Sequence, residues 1–320
     1  MNTLAKFQPE APSATSAPST APRVAGAHER ALFGALCFVW GTTWLAMKIG
    51  VATVPPGFFA GTRWTVAGLA LLLVRALGGH TLDVPFRLRA RLVLCSVLMV
   101  SLNQVVQLYG LRHITAGLAA VLSSALTPIG LLGFAVALRQ EPFRWRQVGA
   151  VGLGVAGILA LFGPKALKGE LDWMEVLGAL AVVVSTLSYA YGSVLARPLM
   201  RTMPPAHVAA MTNFIGGGLL LGFALAFEPG ALKATTGDWG LPAFLAWLYL
   251  LLPGSLGATV IYFLLVRDWG ASRAGTYAFV SPVIAVAIGF VFFGEHVEVS
   301  DILGMVLMLM AAGLVLRVKR

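Results

Sequence analysis

The chain has very little charge for its 320 residues. Only 11% of the residues are Asp, Glu, Lys or Arg, against roughly 25% in an average soluble domain. Hydrophobic residues make up 58% of the chain, and the mean hydropathy is +0.84. This composition excludes a soluble globular protein and places the chain in a bilayer. Because a spanning helix takes about 20 residues, ten spans leave no room for a large extramembrane enzyme domain.

Acidic residues are the scarcest charged group, with 13 Asp and Glu against 23 Lys and Arg, and the net charge is +10. The basic residues lie in short loops between apolar runs, which is a topology signal of membrane proteins, so we predict no nucleic-acid partner. All the acids fall in tails, loops or helix ends. We therefore expect no buried carboxylate that could relay protons, and we predict facilitated diffusion or exchange rather than proton-coupled export.

Motifs for catalysis and metal binding are also missing. Cys37 and Cys95 both fall inside apolar runs, which excludes a disulfide framework or a metal knuckle. The sequence has no P-loop, and Glu295-His296 lacks the second histidine of a zinc helix. The stretch around Ser255 lacks the first glycine of G-x-S-x-G. We predict no enzyme activity, no catalytic or metal-binding residue, no cofactor and no need for an ATP-hydrolysing subunit.

What the chain does contain is a series of apolar runs. Residues 1–30 are rich in Ala, Pro, Ser and Thr and are predicted to form a disordered cytoplasmic tail. Ten runs of a length that crosses about 30 Å of hydrocarbon then follow. They cover residues 31–52, 57–77, 92–111, 116–138, 147–162, 176–196, 207–227, 243–266, 271–293 and 301–318. The predicted fold class is an all-α polytopic membrane protein with ten transmembrane helices.

The basic residues also indicate an orientation. If the amino terminus lies inside, 17 Lys and Arg residues fall on the inner side, five fall on the outer side, and Arg63 lies within a run. Since positively charged loops stay in the cytoplasm, both termini are predicted to be cytoplasmic.

The two halves of the chain resemble each other. Leu126-Thr127-Pro128 precedes Glu141 by 13 residues, and Val280-Ser281-Pro282 precedes Glu295 by the same 13 residues. Each half holds five runs, and because five is odd, the second repeat (176–318) is predicted to lie inverted relative to the first (31–163). Inverted five-helix repeats (5+5) are typical of transporters that work by alternating access.

Several motifs together resemble EamA-type members of the drug/metabolite transporter superfamily. They are WGTTWLAMK at 40–48, the pair Pro55-Pro56, RWTVAGL at 63–69, the stretch 107–128 and its looser repeat at 270–282. The resemblance covers nearly all of residues 31–318, although Thr42 stands where a serine is common in the family. It implies a ten-helix carrier in the bacterial inner membrane, with a central cavity lined mainly by helices 1–4 and 6–9.

Within this superfamily the chain looks most like the YddG-like exporters of aromatic and neutral amino acids. The resemblance implies a lipid-embedded exporter of amino acids or similar small metabolites. The alternative is a broad-specificity exporter of drugs or metabolites, although exporters of cationic compounds usually hold a buried carboxylate. A channel is a further alternative, but inverted halves favour alternating access.

The residue pattern of the first run predicts one wall of the cavity. Trp40, Thr43, Trp44 and Met47 follow each other at i, i+3, i+4 and i+7 and so share one helix face. Two indoles, a hydroxyl and a thioether suit the flat or apolar side chain of an amino acid. Plain helix packing is the alternative interpretation of this face.

Polar stripes in other runs supply further candidate substrate-binding residues. Asn103, Gln104 and Gln107 form one stripe, which must face protein or water because amides facing lipid lose hydrogen bonds. Such a stripe either lines a substrate path or clamps two helices together. The other candidates lie near the intramembrane prolines Pro128 and Pro282 or in polar stripes of the second half: Ser123, Thr127, Tyr189, Tyr262, Tyr277 and Ser281.

Two cations complete the candidate site. Arg63 is the only guanidinium well inside a predicted span, and Lys48 ends the first run at a similar depth. An intramembrane charge needs compensation. The pair is predicted either to attract a substrate carboxylate or to hold the first helix hairpin in shape, and Lys48 has the alternative of reaching the interface.

Overall fold

The computed structural model describes residues 26–114, 116–166, 172–293 and 299–317. These residues form ten helical rods and, within the ranges described, no strand. The rods are α1 Ala27–Gly50, α2 Pro56–Leu77, α3 Phe86–Gly110, α4 Ala116–Ala137, α5 Trp145–Ala166, α6 Trp173–Arg201, α7 Pro205–Phe227, α8 Leu241–Trp269, α9 Tyr277–Phe293 and α10 Val299–Arg317. Single turns at Ala231–Ala234 and Ala271–Ala274 precede α8 and α9.

Membrane-spanning character is clearest in five of the rods. Among the described residues, α2, α3, α6, α7 and α8 are long and apolar enough to cross a bilayer. Shorter apolar segments lie in α4, α5 and α10. Large apolar side chains such as Leu77, Trp145 and Phe227 are exposed on the outside of the bundle, as expected of surfaces that face lipid. The prediction of an all-α multi-pass protein is confirmed for the part of the chain described.

Three helix starts differ from the predicted runs by four residues or more, and one of them is that of α3, which begins at Phe86 and not at residue 92. The first helix begins at Ala27, inside the predicted tail, because the Gly26 N–H and the Trp269 indole both donate to Glu29, at 3.3 and 3.0 Å. The rest of the predicted tail, 1–25, lies outside the described residues. The predicted ninth run began at residue 271, but α9 starts at Tyr277, since Gly270 has φ 89° and a separate turn intervenes.

One end of the bundle is organised by Glu228, and we call it the Glu228 end. Its carboxylate follows α7 and accepts the backbone N–H groups of Gly57 at 3.0 Å and Phe58 at 2.8 Å. The Tyr109 hydroxyl at the end of α3 donates to it at 3.0 Å. The first N–H groups of a helix lack partners within it and favour an anion, so Glu228 caps α2 from 170 residues away.

Glu228 also corrects the expectation that no carboxylate is buried, because it is only 8% exposed. Glu228 does lie at a helix end, as predicted, but its carboxylate is buried because it binds the N–H groups at the start of α2. Three donors satisfy the carboxylate, as a buried charge requires.

The opposite end is organised by Glu141, and we call it the Glu141 end. Glu141 follows α4 and accepts hydrogen bonds from the backbone and hydroxyl of Ser272, just before α9. Nearby, the Arg197 guanidinium at the end of α6 donates to the Gln140 carbonyl at 3.2 Å. Arg273 donates to the Leu316 carbonyl of α10 at 2.8 Å. These bonds tie α4, α6, α9 and α10 together at one end. The repeat partner Glu295 lies outside the described residues.

Glycines bring α2 and α7 into backbone contact over most of their length. A Cβ atom on Gly68 would lie 2.2 Å from the Phe214 nitrogen, and one on Gly217 would lie 2.4 Å from the Thr65 nitrogen. Gly61 meets the backbone of Leu221 in the same way, at 2.7 Å. Such small-residue contacts are the usual means by which membrane helices pack closely. They fix the antiparallel register of the two helices.

Most helix pairs that are in contact among the described residues have counterparts when helix n is exchanged with helix n+5. The contact between α1 and α9 matches the contact between α6 and α4, and the contact between α3 and α6 matches the contact between α8 and α1. The contact between α4 and α5 likewise matches the contact between α9 and α10. The contacts between α2 and α7 and between α5 and α10 are each their own counterpart. The irregular segments follow the same rule. Segments of π-helix occur at Val97–Leu102 in α3 and Leu250–Ala258 in α8, and prolines interrupt α4 and α9.

We predict that Gly217→Ala destabilises the protein by about 1–3 kcal/mol, because the new methyl group forces α2 and α7 apart. The neighbouring Gly218→Ala is the matched control, since a Cβ there meets nothing within 4 Å. Thermal unfolding in detergent, followed by the loss of the monodisperse peak in size-exclusion chromatography, measures both. Equal melting temperatures for the two variants would contradict the close packing.

Candidate functional site

A cavity lies inside the bundle. Its described lining residues come from α1–α4 and α6–α9. Thirteen of the fifteen sequence-predicted site residues lie on this one cavity: Trp40, Thr43, Met47, Arg63, Asn103, Gln104, Gln107, Ser123, Thr127, Tyr189, Tyr262, Tyr277 and Ser281. The side chains of the other two, Trp44 and Lys48, lie outside what the structure describes.

Arg63 is the charged group of the cavity. Its side chain is 4% exposed, and its Nη2 donates to the Gln104 Oε1 at 2.9 Å. The guanidinium carbon also lies 4.9 Å from the centre of the Trp64 ring. None of the described lining residues is acidic, and the Arg63 Nε has no hydrogen-bond partner. The cavity therefore presents a guanidinium that is bonded to a neutral amide.

The amide stripe of α3 connects Arg63 to another helix. Gln104 donates through Nε2 to the Asn103 Oδ1 at 2.9 Å, and Asn103 donates through Nδ2 to the Ser185 carbonyl of α6 at 3.0 Å. Asn103 thus joins α3 to α6, and the same chain of bonds orients Arg63 inside the cavity.

Aromatic rings close the cavity toward the Glu141 end. The centre of the Trp40 ring lies 4.5 Å from that of Tyr277 and 5.2 Å from that of Tyr262. Tyr189 lies 5.7 Å from Tyr262, whose hydroxyl is 2.5 Å from that of Ser193. Rings at these separations are in contact with one another. The four aromatic residues therefore form a packed floor.

The two π segments also line the cavity. Met99 and Val100 belong to the π segment of α3, and Gly254 and Ser255 belong to that of α8. Inserted π turns are frequent at functional sites because they turn side chains and carbonyls out of the regular helix pattern. Sequence reasoning missed both segments, although Pro253 was a usable signal inside α8.

No residue of α7 was among the sequence-predicted site residues, yet Thr212 and Asn213 line the cavity. On α8, Ser255 and Thr259 form a polar stripe with Tyr262 that the sequence does indicate, and both line the cavity as well. The adjacent pair Thr212-Asn213 is polar within an otherwise apolar run, which was a signal that could have found it.

Comparison with known proteins decides the family. The EamA-like transporter family model matches residues 31–163 and 176–317, which is most of the chain. The chain belongs to the EamA-like transporter family. The resemblance of its motifs to EamA-type transporters is thereby confirmed at the level of the family, whose members are transporters rather than enzymes.

Similarity to individual proteins agrees with this family assignment. The uncharacterized inner membrane transporter YedA of Escherichia coli strain K12 is 32% identical over 288 residues, covering 89% of this chain and 90% of YedA. An S-adenosylmethionine/S-adenosylhomocysteine transporter of Chlamydia muridarum is 24% identical and covers 81% and 82% of the two chains. A crystal structure with 19% identity superimposes with a TM-score of 0.74 over 90% of this chain and 96% of the other, which shows a shared fold. This EamA protein is a multi-pass protein of the inner membrane.

Proposed function

We propose that this transporter exports amino acids, chiefly aromatic and other neutral ones, or similar small metabolites with a carboxylate. Arg63 carries the proposal. A buried guanidinium is costly in a membrane unless an anion or several acceptors meet it. Here it meets one neutral amide oxygen and a Trp ring. A substrate carboxylate is the natural partner, since charge-assisted bonds from Arg to carboxylate are short and strong.

The rest of the cavity suits the body of such a substrate. Trp64, Met99 and Val100 are apolar or aromatic, and the packed floor of Trp40 and the three tyrosines adds flat surfaces. Flat side chains gain from ring contacts, and thioethers adapt to their shape. The similarity to a transporter named for S-adenosylmethionine supports small metabolites with a carboxylate as substrates, because that compound also carries an amino acid group.

A broad exporter of drugs fits the cavity less well. Cationic drugs need an anionic partner away from water. None of the described lining residues is acidic, and Glu228 lies outside the cavity lining, occupied by its three donors.

Alternating access between inverted halves is the proposed mechanism. The correspondence between helix n and helix n+5 supports it, since it gives the bundle two related halves. The packed floor and the bonds of Glu141 hold one end closed, and the related contacts of the other half would close the opposite end in turn.

The Glu141 end is proposed to face the cytoplasm, together with both termini. Among the described residues, thirteen basic ones lie at or beyond that end and four at the Glu228 end. The thirteen are Arg30, Arg75, Arg87, Arg89, Arg91, Arg139, Arg144, Arg146, Arg197, Arg201, Arg267, Arg273 and Arg317; the four are Lys48, Arg112, Lys165 and Lys233. This asymmetry favours a cytoplasmic Glu141 end.

The orientation is tested by thiol labelling, since both native cysteines are buried. A membrane-impermeant maleimide should label Asp238→Cys in intact spheroplasts, because Asp238 is exposed at the Glu228 end. Arg87→Cys, exposed at the other end, should react only after permeabilisation. The reverse pattern would overturn the proposed orientation.

The central prediction concerns Arg63→Gln in proteoliposomes. It should lower counterflow of phenylalanine and leucine by at least about tenfold, the effect of losing one charge-assisted bond of roughly 1.5–3 kcal/mol. The control is Arg112→Gln, which removes an exposed guanidinium at the Glu228 end. Phenylalaninamide, which lacks the carboxylate, should be a poor substrate of the parent protein. Parent-like rates in Arg63→Gln, in correctly inserted protein, would contradict the proposal.

Coupling is proposed to be facilitated diffusion or exchange, because none of the described cavity residues is acidic. Flux down a substrate gradient should therefore persist without a pH gradient. Glu228 is the buried carboxylate that could relay protons instead. Strict dependence of flux on a pH gradient, abolished by Glu228→Gln, would contradict the proposal and assign the coupling to that residue.

A further inference from the structure

Three buried polar atoms of cavity residues on α7 and α8 lack hydrogen-bond partners, as do the Arg63 Nε, the Trp64 Nε1 and the Tyr189 hydroxyl elsewhere on the cavity. The three are the Oγ1 of Thr212 and the Oδ1 of Asn213 on α7, and the Oγ of Ser255 on α8. The side chains line the cavity and are at most 1% exposed. In the interior of a membrane protein, unsatisfied polar atoms cost free energy, so an arrangement of three indicates something that binds there.

Asn213 is held in one orientation. Its Nδ2 donates to the Ser255 carbonyl at 3.1 Å, a carbonyl within the π segment of α8. Because the side-chain nitrogen of Asn213 is used in this bond within the protein, its side-chain oxygen remains as an acceptor for a ligand. The hydroxyls of Thr212 and Ser255 can accept or donate, so the cluster as a whole suits a hydrogen-bond donor.

The cluster lies well away from Arg63. The close contacts of α2 with α7 pair Gly61 with Leu221, Thr65 with Gly217 and Gly68 with Phe214. In this register Arg63 lies level with residue 219, six residues from Asn213. Six residues of helix span about 9 Å, directed toward the Glu141 end.

Apolar side chains separate the two polar places. Val100 packs against Gly216, where a Cβ would approach it to 2.6 Å, and Trp64 packs against Gly217, where a Cβ would approach it to 2.8 Å. Both levels lie between Asn213 and Arg63, and both side chains line the cavity. The cavity thus has a cationic place, a middle lined by the Val100 side chain and the Trp64 indole, and a polar place that can accept hydrogen bonds.

We infer that Thr212, Asn213 and Ser255 recognise a hydroxyl or ring N–H group at the end of the substrate opposite its carboxylate. The inference rests on the proposed function and narrows it to elongated organic acids with a distal donor. A site that holds buried acceptors discriminates strongly against an analogue without the donor, because the acceptors are then left unpaired.

Tyrosine and phenylalanine test this, since they differ by one hydroxyl. In proteoliposomes of the parent protein, kcat/KM for tyrosine should exceed that for phenylalanine by at least about tenfold. Asn213→Leu and Ser255→Ala should each bring the ratio close to one, because tyrosine transport falls by a larger factor than phenylalanine transport. Ser101→Ala is the control: its hydroxyl donates to the Gly216 carbonyl at 2.8 Å and does not line the cavity, so the ratio should hold.

The outcomes separate the two proposals. Equal kcat/KM for tyrosine and phenylalanine, with transport still dependent on Arg63, overturns the distal site alone. A tyrosine preference that survives both variants also overturns it, because the preference then arises from other residues. Transport independent of the carboxylate and of Arg63 overturns the proposed function and the inference with it. For variants too slow to assay, the shift in melting temperature by each amino acid gives the same ratio from binding.

Discussion

A guanidinium placed inside a membrane bundle constrains everything around it. Arg63 cannot face lipid, so α2 must turn it toward a polar interior. The bonds from Arg63 to Gln104, from Gln104 to Asn103 and from Asn103 to Ser185 then connect α2, α3 and α6 across that interior. The same hydrogen bonds therefore hold three helices together and line the cavity. The charge of Arg63 requires polar groups around it, and these groups make the cavity polar.

The helix pairs α2–α7 and α5–α10 pack through glycines. Glycines hold α2 against α7, and Gly157 lies against the Gly304 carbonyl between α5 and α10. The π segments of α3 and α8 and the intramembrane prolines of α4 and α9 belong to helices that line the cavity. Glycine contacts reach these helices as well, since Gly216 lies against Val100 of α3. Departures from regular α-helix geometry are thus concentrated around the cavity.

Much of the cavity lining could be predicted from the sequence, because a polar residue in an apolar run must face protein or water and not lipid. Arg63, Asn103 and Gln104 were found by that rule and lie together on the cavity. The rule does not reveal partners distant in the chain. The burial of Glu228 depends on N–H groups 170 residues away, and Glu141 binds Ser272, which lies 131 residues from it, in the turn that precedes α9. Hydrophobic periodicity does not encode the π segments, although Pro253 lies inside one of them.

The most direct test of the account is a density map of the transporter with a carboxylate substrate bound. We predict the carboxylate within hydrogen-bond distance of the Arg63 guanidinium, with the body of the substrate against Trp64 and Val100. A substrate bound outside the cavity would contradict the account. A carboxylate turned away from Arg63, with the guanidinium still bonded to Gln104 alone, would contradict it equally.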